Sequence, residues 1–194
     1  QLQGWGEARL SPHIAVFTTL YDDHQNYYGS TSLTTGKDAS EMYFADKANI
    51  FLYQRTEDTL ILGRQCAPII IEKYSDAIDS KTLVVDELKL PVTWVLYIPG
   101  MHNRYNAALA LATARALDIP DETSRKALKS FKGVEGRLEL IREVNGVRVY
   151  NDTTATTPEA TLAALSALDT GARNIVLIMG GADKDLDMNK LLYE

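Results

Sequence analysis

The stretch VRVYNDTTATTPEA, residues 147–160, decides how this sequence is interpreted. Its first residues alternate apolar and polar as in a β-strand and run into Asp152 and a cluster of threonines. Pro158 follows, and then an apolar pattern with helical spacing over 161–168. In α/β enzymes a strand end that delivers Asp and Thr side chains to a helix N-terminus often holds anions or metal-bound phosphates. The same residue types are also ordinary helix caps, so other segments must decide between these interpretations.

Composition is that of an ordinary globular protein, with 45% hydrophobic and 24% charged residues in 194. The net charge of -6 argues against a nucleic-acid groove, which needs clustered Lys and Arg. No apolar run approaches the roughly 20 residues of a membrane span. The single cysteine, Cys66, excludes an internal disulfide, which fits a reducing cytosol. We therefore expect a cytoplasmic protein with no nucleic-acid or membrane partner.

The two ends of the chain indicate a fragment. The sequence begins at Gln1 rather than at a methionine, and residues 190–194 stop inside a helical pattern. We expect truncation at both ends, which leaves open a targeting segment further upstream.

The first two thirds of the sequence predict strands that alternate with helices. Short β-rich apolar runs predict strands at 14–20, 59–62, 82–85 and 93–98. Apolar spacing and helix propensity predict helices at 38–54, at 106–117 and from Asp121 or Thr123 to about 131. This alternation indicates α/β layers around a largely parallel sheet.

The pattern restarts after a predicted linker at 132–136, which has two glycines in five residues. Beyond it we predict strand 138–143, an Asn145-Gly146 hairpin turn, strand 147–151, helix 158–168 and strand 174–179. The sequence therefore predicts two domains, residues 1–133 and 134–194.

Two segments near the start of the chain suggest ligand binding, and one of them is rejected. The run Asp22-Asp23-His24 follows the first predicted strand, where it could hold a divalent metal or form a solvated turn. The run Thr34-Thr35-Gly36-Lys37 resembles a phosphate-binding P-loop, but that motif needs glycine at position 31 and Ser or Thr at 38. The chain has Thr31 and Asp38 there, so we exclude a P-loop.

Lys47 is surrounded by apolar and aromatic residues in the run YFADKANIF, residues 43–51. A lysine on a helix is normally a solvated surface residue. Partial desolvation would instead lower its pKa and make the neutral, reactive amine accessible.

Two glycine-containing segments follow predicted strands. In GMHNRYN, residues 100–106, His102 and Asn103 could cap a helix, and the Asn106 amide could pair with a base edge. In GGADKD, residues 180–185, the glycines would allow close approach of a ligand, with Lys184 as a cation for a carboxylate or phosphate. The alternative for the second segment is a turn with solvated charges.

Together these segments resemble the Mur ligase family, ATP-dependent enzymes that form amide bonds in peptidoglycan synthesis. The resemblance covers nearly the whole chain and is carried by the segments 4–5, 11–16, 23–24, 45–50, 100–110, 136–139 and 151–156. It implies part of a P-loop-type central ATPase domain followed by the start of a Rossmann-like C-terminal domain. It also implies that the P-loop, its metal-binding Glu and the UDP-binding domain lie outside this chain.

The run NDTTAT, residues 151–156, resembles the branch of the family that adds D-glutamate to UDP-N-acetylmuramoyl-L-alanine through an acyl phosphate. For that branch the resemblance implies Mg²⁺ and ATP, a monomeric full-length enzyme and an inactive fragment. It implies that His24 and a carbamylated Lys47 bind the metal, both having catalytic roles with Asp152. The implied nucleotide-binding residues are His102, Asn103, Asn106, Arg137 and Asp152. The implied substrate-binding residues, on the D-glutamate side, are Thr153, Thr154, Thr156 and Lys184.

One departure and two alternatives accompany this resemblance. Many relatives have Lys where this chain has Thr154, so a positive charge near the substrates is missing or supplied elsewhere. A folylpolyglutamate-synthase-type ligase would share the architecture, but its motif should differ from residues 152–156. A non-catalytic α/β binding module, in which the polar residues are only caps and turns, is the other alternative.

Overall fold

The computed structural model describes residues 2–21, 36–172, 174–182 and 186–193. The chain starts with helix α1, Leu2–Ala8, and strand β1, Ile14–Phe17. Helix α2, Gly36–Ala48, strand β2, Thr59–Gly63, and helix α3, Ala67–Tyr74, follow. A short 3-10 turn leads to strand β3, Lys81–Val85.

The three strands form a parallel sheet in the order β1-β2-β3. Successive residues of a strand point to opposite faces, so the apolar runs supply two cores. On one face Phe17, Leu60 and Leu62 pack against α2 and α3. On the other face Ile61 and Val85 pack against helix α4, Met101–Ala116, which is followed by helix α5, Asp121–Ser130. The predicted parallel α/β arrangement is confirmed for this part of the chain.

Several predicted bounds are wrong for local reasons. Strand β1 ends at Phe17 rather than at 20, because the Thr18 carbonyl accepts a hydrogen bond from the Tyr105 hydroxyl instead of pairing in the sheet. Helix α2 ends at Ala48 rather than near 54, where the chain continues in tight turns. Helix α4 begins at Met101, five residues before its predicted start.

The strand predicted at 93–98 is also wrong, since this segment forms turns and irregular backbone. The Arg104 guanidinium donates hydrogen bonds to the carbonyls of Trp94, Leu90 and Pro91. These carbonyls are therefore bonded to a side chain of α4, and the apolar pattern reflects packing of Trp94 and Leu96 against that helix. Tertiary contacts have overridden local β propensity here.

The second part of the chain opens with a hairpin of β4, Glu139–Val144, and β5, Val147–Asn151. Asn145 and Gly146 connect the strands with φ angles of 50° and 78°. Positive φ at both positions is the type I′ geometry that Asn-Gly favours, so the predicted hairpin is confirmed. Helix α6, Pro158–Leu168, has the predicted bounds, and the short helix α7, Asn189–Tyr193, lies near the end of the chain.

The strand predicted at 174–179 is wrong in the described structure, where these residues have no regular secondary structure. Val176 and Ile178 are 86% and 91% exposed. A strand needs a neighbour for its amide and carbonyl groups, and among the described residues none pairs with this segment. No helix in the described part of the chain is long and apolar enough to cross a membrane.

Candidate functional site

A cleft of about 510 Å³ lies between the first part of the chain and the 136–164 region. One wall comprises the carboxyl ends of β1 and β2 and the first turns of α4, and the other comprises the turns before β4 and after β5 and the start of α6. Open α/β sheets bind ligands at the carboxyl ends of their strands, and small-molecule pockets commonly measure about 300–1,000 Å³. Position and volume therefore suit a small-molecule ligand.

Six of the residues singled out in the sequence line this cleft. They come from three separate segments, the first turns of α4, the turn before β4 and the turn after β5. The six residues are His102, Asn103, Asn106, Arg137, Asp152 and Thr154. The cleft thus brings together side chains up to about fifty positions apart in sequence, including a cation, an anion and two amides.

Two helix N-termini contribute to the cleft walls. At α4 the N-cap is Gly100, with φ of 99° and no side-chain cap, so no side chain occupies the first amide groups. At α6 the Thr157 hydroxyl accepts a hydrogen bond of 3.4 Å from the Ala160 amide, and Pro158 occupies the first turn. Helix N-termini carry partial positive charge and amide donors, so these two ends favour an anionic ligand.

Across the cleft His102 interacts electrostatically with Asp152. Burial lowers the pKa of His102 below its ordinary value, and the Asp152 carboxylate opposes this shift. Because burial is the larger effect, the imidazole is neutral at pH 7 and can both donate and accept a hydrogen bond.

The Asp152 and Thr154 side chains also bind the turn before β4. One Asp152 carboxylate oxygen accepts a 2.8 Å hydrogen bond from the Leu138 amide. The Thr154 hydroxyl donates a 2.7 Å hydrogen bond to the Gly136 carbonyl. The threonine that replaces the usual family lysine therefore has a structural partner of its own.

Some cleft residues were missed by the sequence reasoning, notably Arg64 and Gln65, directly after β2. Arg64 forms a 3.1 Å ion pair with Glu87, and the Gln65 amide hydrogen-bonds both the amide and the carbonyl of Leu20. The signal was available, because a polar pair at the carboxyl end of a parallel strand is as informative after β2 as after β1.

Tyr105 and Tyr21 are further cleft residues that the sequence did not reveal. The Tyr105 hydroxyl donates a 2.6 Å hydrogen bond to the Thr18 carbonyl, and burial raises the pKa of Tyr105 to about 12. Burial also raises the pKa of Tyr21, and the Glu159 carboxylate of α6 adds to this shift. Tyr21 and Glu159 line opposite walls of the cleft.

Three of the remaining predicted site residues, Lys47, Thr153 and Thr156, do not line the cleft. Lys47 lies half-buried in the last turn of α2, with its ammonium 5.2 Å from the centre of the Tyr43 ring. Thr153 and Thr156 are exposed and do not line the cleft. His24 and Lys184 lie outside the described residues, together with Asp22-Asp23 and the Asp183 and Asp185 of the glycine-containing segment. Within the described ranges, no three His, Cys, Asp or Glu residues are grouped so that they could hold a metal ion.

Comparison with known proteins finds a family model that matches the last third of the chain and relatives that match along nearly all of it. The sequence model described as "Mur ligase, glutamate ligase domain" matches residues 136–194. A UDP-N-acetylmuramoylalanine–D-glutamate ligase from Roseiflexus sp. (strain RS-1) is 34% identical, covering 100% of this chain and 45% of the relative. The ligase of the same name from Clostridium botulinum (strain Alaska E43 / Type E3) is 35% identical, covering 95% and 41%. The chain spans less than half the length of these curated relatives.

Solved structures show a related fold. The structure of MurF from Acinetobacter baumannii aligns with a TM-score of 0.63 at 20% identity, covering 81% of this chain and 37% of that one. MurF ligase from Thermotoga maritima in complex with ADP aligns with a TM-score of 0.60 at 20% identity, covering 81% and 39%. At this identity the likeness supports the α/β architecture alone.

Proposed function

We propose that the chain belongs to the Mur ligase family and that the whole protein is an ATP-dependent ligase that adds D-glutamate to UDP-N-acetylmuramoyl-L-alanine. The names of the curated relatives, at 30–35% identity, support this choice. Because the chain spans less than half of those relatives, the activity, its substrates and a cytoplasmic, monomeric enzyme are proposals for the whole protein. The domain limits at 1–133 and 134–194 are also proposals.

The observation that carries the proposal is the cleft, in which Asn106, Arg137 and Asp152 meet beside two helix N-termini. An adenine nucleotide needs amide groups for its base and positive charge for its phosphates. We assign the Asn106 amide to the adenine and Arg137 with the N-terminus of α4 to the phosphates. His102, Asn103 and Asp152 would complete the nucleotide site from both walls.

The D-glutamate would bind on the side of the turn that follows β5. We assign Thr153, Thr154, Thr156 and Lys184 to this side, with hydroxyl donors and one ammonium for the two carboxylates. The Thr154 hydroxyl already donates to the Gly136 carbonyl, so in this chain it would accept a hydrogen bond from the D-glutamate amine rather than donate to a carboxylate.

Magnesium would require residues beyond the cleft described above. The described residues alone do not complete a metal site. We propose that His24 and a carbamylated Lys47 supply ligands, with Lys47 reaching from the end of α2. When bound, magnesium would neutralise charge on the transferring phosphoryl group.

For the reaction, the residues of the chain would chiefly orient the reactants. The substrate alanyl carboxylate takes the γ-phosphoryl group of ATP, ADP leaves, the D-glutamate amine attacks the resulting acyl phosphate, and phosphate leaves. Arg137 and the helix N-termini would stabilise the charge on the phosphates, and the two walls would exclude water by closing. Neutral His102 would donate one hydrogen bond and accept another at the cleft without adding charge.

The test is phosphate release by the full-length protein, measured with UDP-N-acetylmuramoyl-L-alanine, ATP, Mg²⁺ and D-glutamate. We expect release that depends on all four, and a drop of about ten- to a hundredfold in kcat/KM for Asn106→Ala. Arg125→Ala, on the exposed face of α5, is the matched control and should retain full activity. Release that instead required a folate and L-glutamate would favour the folylpolyglutamate-type ligase, and no release with either pair would favour a binding module.

A further inference from the structure

The turn before β4 carries Arg137, and its conformation is fixed by neighbours rather than by its own preference. We propose that Glu139 is a positioning residue that holds this turn, residues 136–138, against the turn after β5 and so orients Arg137 into the cleft. The role of Arg137 in this inference rests on the proposed function. The hydrogen bonds that hold the turn are independent of that function.

Glu139 is the first residue of β4 and is half-buried opposite its register partner Asn151. One of its carboxylate oxygens accepts a 2.9 Å hydrogen bond from the Gly136 amide. The same oxygen lies 3.4 Å from the Asn151 side-chain amide, which donates to it. A charged acceptor makes these bonds stronger than neutral ones. Glu139 therefore connects the turn that precedes β4 with the end of β5.

The backbone of the turn needs such support. Gly136 has φ of 72°, and Leu138 has φ of 46°, in the left-handed region that a leucine rarely adopts. The Leu138 side chain is buried, and its amide donates to Asp152. A strained conformation persists only where surrounding contacts determine it.

Both polar groups of Gly136 are used in holding the turn. Its amide donates to Glu139, and its carbonyl accepts from the Thr154 amide at 3.0 Å and from the Thr154 hydroxyl at 2.7 Å. A Cβ at position 136 would lie 3.1 Å from the Thr154 methyl and 3.2 Å from the Thr153 hydroxyl. The glycine is thus enclosed between the two turns, and the next residue along the chain is Arg137.

Removing the Glu139 carboxylate would leave the Gly136 and Asn151 donors without this acceptor. The turn could then relax from its left-handed conformation, and Arg137 would no longer be aimed at the phosphates. A displacement of about 1 Å at a positioning group can cost up to a hundredfold in rate. Because Arg137 is assigned to the nucleotide, the loss should appear mainly as a higher KM for ATP.

The experiment uses the full-length protein and three variants, Glu139→Ala, Glu139→Gln and Glu143→Ala. Gln keeps a carbonyl oxygen that can accept both hydrogen bonds, whereas Ala keeps none. Glu143 is an exposed glutamate of the same strand and serves as the control. We expect Glu139→Ala to raise the KM for ATP about tenfold or more with a smaller change in kcat. The KM of Glu139→Gln for ATP should stay within about threefold of that of the parent protein, and the KM of Glu143→Ala should equal that of the parent.

A second readout is independent of activity. Amide hydrogen exchange at residues 136–138 should become faster in Glu139→Ala and stay slow in Glu139→Gln. Unchanged exchange in Glu139→Ala, or a Gln variant as impaired as the Ala variant, would overturn the proposal. If Glu139→Ala does not fold, Thr154→Val, which removes the hydroxyl bond to Gly136, should still accelerate exchange at the turn, and protection at the level of the parent would contradict the account. If the parent protein lacks ligase activity, the proposed function fails while the exchange result still decides the role of Glu139.

Discussion

The two walls of the cleft are built in different ways. The wall of β1, β2 and α4 rests on strands and a helix whose apolar side chains are buried, including Leu60, Ile61 and Leu111. The wall from residues 136–157 rests on polar contacts between turns, such as those of Asp152 and Thr154. The first wall is therefore fixed by core packing and the second by hydrogen bonds. Substitutions in the first should reduce stability, and those in the second should mainly reduce binding.

The largest effect should come from Gly63→Ala in the first wall. Gly63 ends β2, and an added Cβ would collide with the Tyr105 hydroxyl and the Thr18 carbonyl. We expect a loss of about 3 kcal/mol or more in the free energy of unfolding, because backbone and the half-buried Tyr105 ring must move. Urea denaturation of the protein measures it. Gly4→Ala is the matched control, since nothing lies within 4 Å of its added Cβ. Equal stability of the two variants would show that the first wall is not rigid.

Arg137→Ala tests the second wall and should affect binding more than stability. Arg137 is exposed at the cleft, so its removal should change the free energy of unfolding by no more than about 0.5 kcal/mol. ATP affinity, measured by calorimetry on the full-length protein, should fall about ten- to a hundredfold, because a charged contact to the phosphates is lost. An Arg137→Ala variant that binds ATP as tightly as the parent but has a lower free energy of unfolding would contradict the view that the second wall serves binding rather than stability.

The smallest effect concerns the electrostatic contact between the walls. Asp152 raises the pKa of His102 against the larger effect of burial, so Asp152→Asn should lower that pKa further. The folded-state pKa of His102 is already below its unfolded value, so the contribution of His102 to stability is present above the unfolded pKa, about 6.5, and is lost as the pH falls. NMR titration of the His102 ring measures the change. A pKa that rises or stays constant in Asp152→Asn would show that the walls do not interact here.

The sequence predicts the elements that have local signals and fails where contacts between distant segments decide the structure. The strands β2 and β3, the Asn145-Gly146 turn and helix α6 were predicted, because apolar runs, turn chemistry and a Thr-Pro start are local signals. The prediction of a strand at 93–98 failed, because the hydrogen bond from Arg104 to this segment comes from a helix further along the chain and leaves no local signal.

The candidate site divides similarly. The cleft lining by Asn106, Arg137 and Asp152 agrees with residues that the family resemblance selected, although their roles remain proposals. Arg64 closely follows a predicted strand, so its place at the cleft could have been predicted, whereas its ion pair with Glu87 from a later segment could not. The strain at Leu138 has no sequence signal, because a leucine does not favour positive φ.

The most direct test of the account is a crystal structure of the full-length protein with Mg²⁺ and a non-hydrolysable ATP analogue. The account predicts the adenine beside Asn106, the phosphates between Arg137 and the N-terminus of α4, and the metal near His24 and a carbamylated Lys47. A nucleotide bound elsewhere, with Arg137 and Asp152 making no contact to it, would contradict the central claim that this cleft is the ATP site.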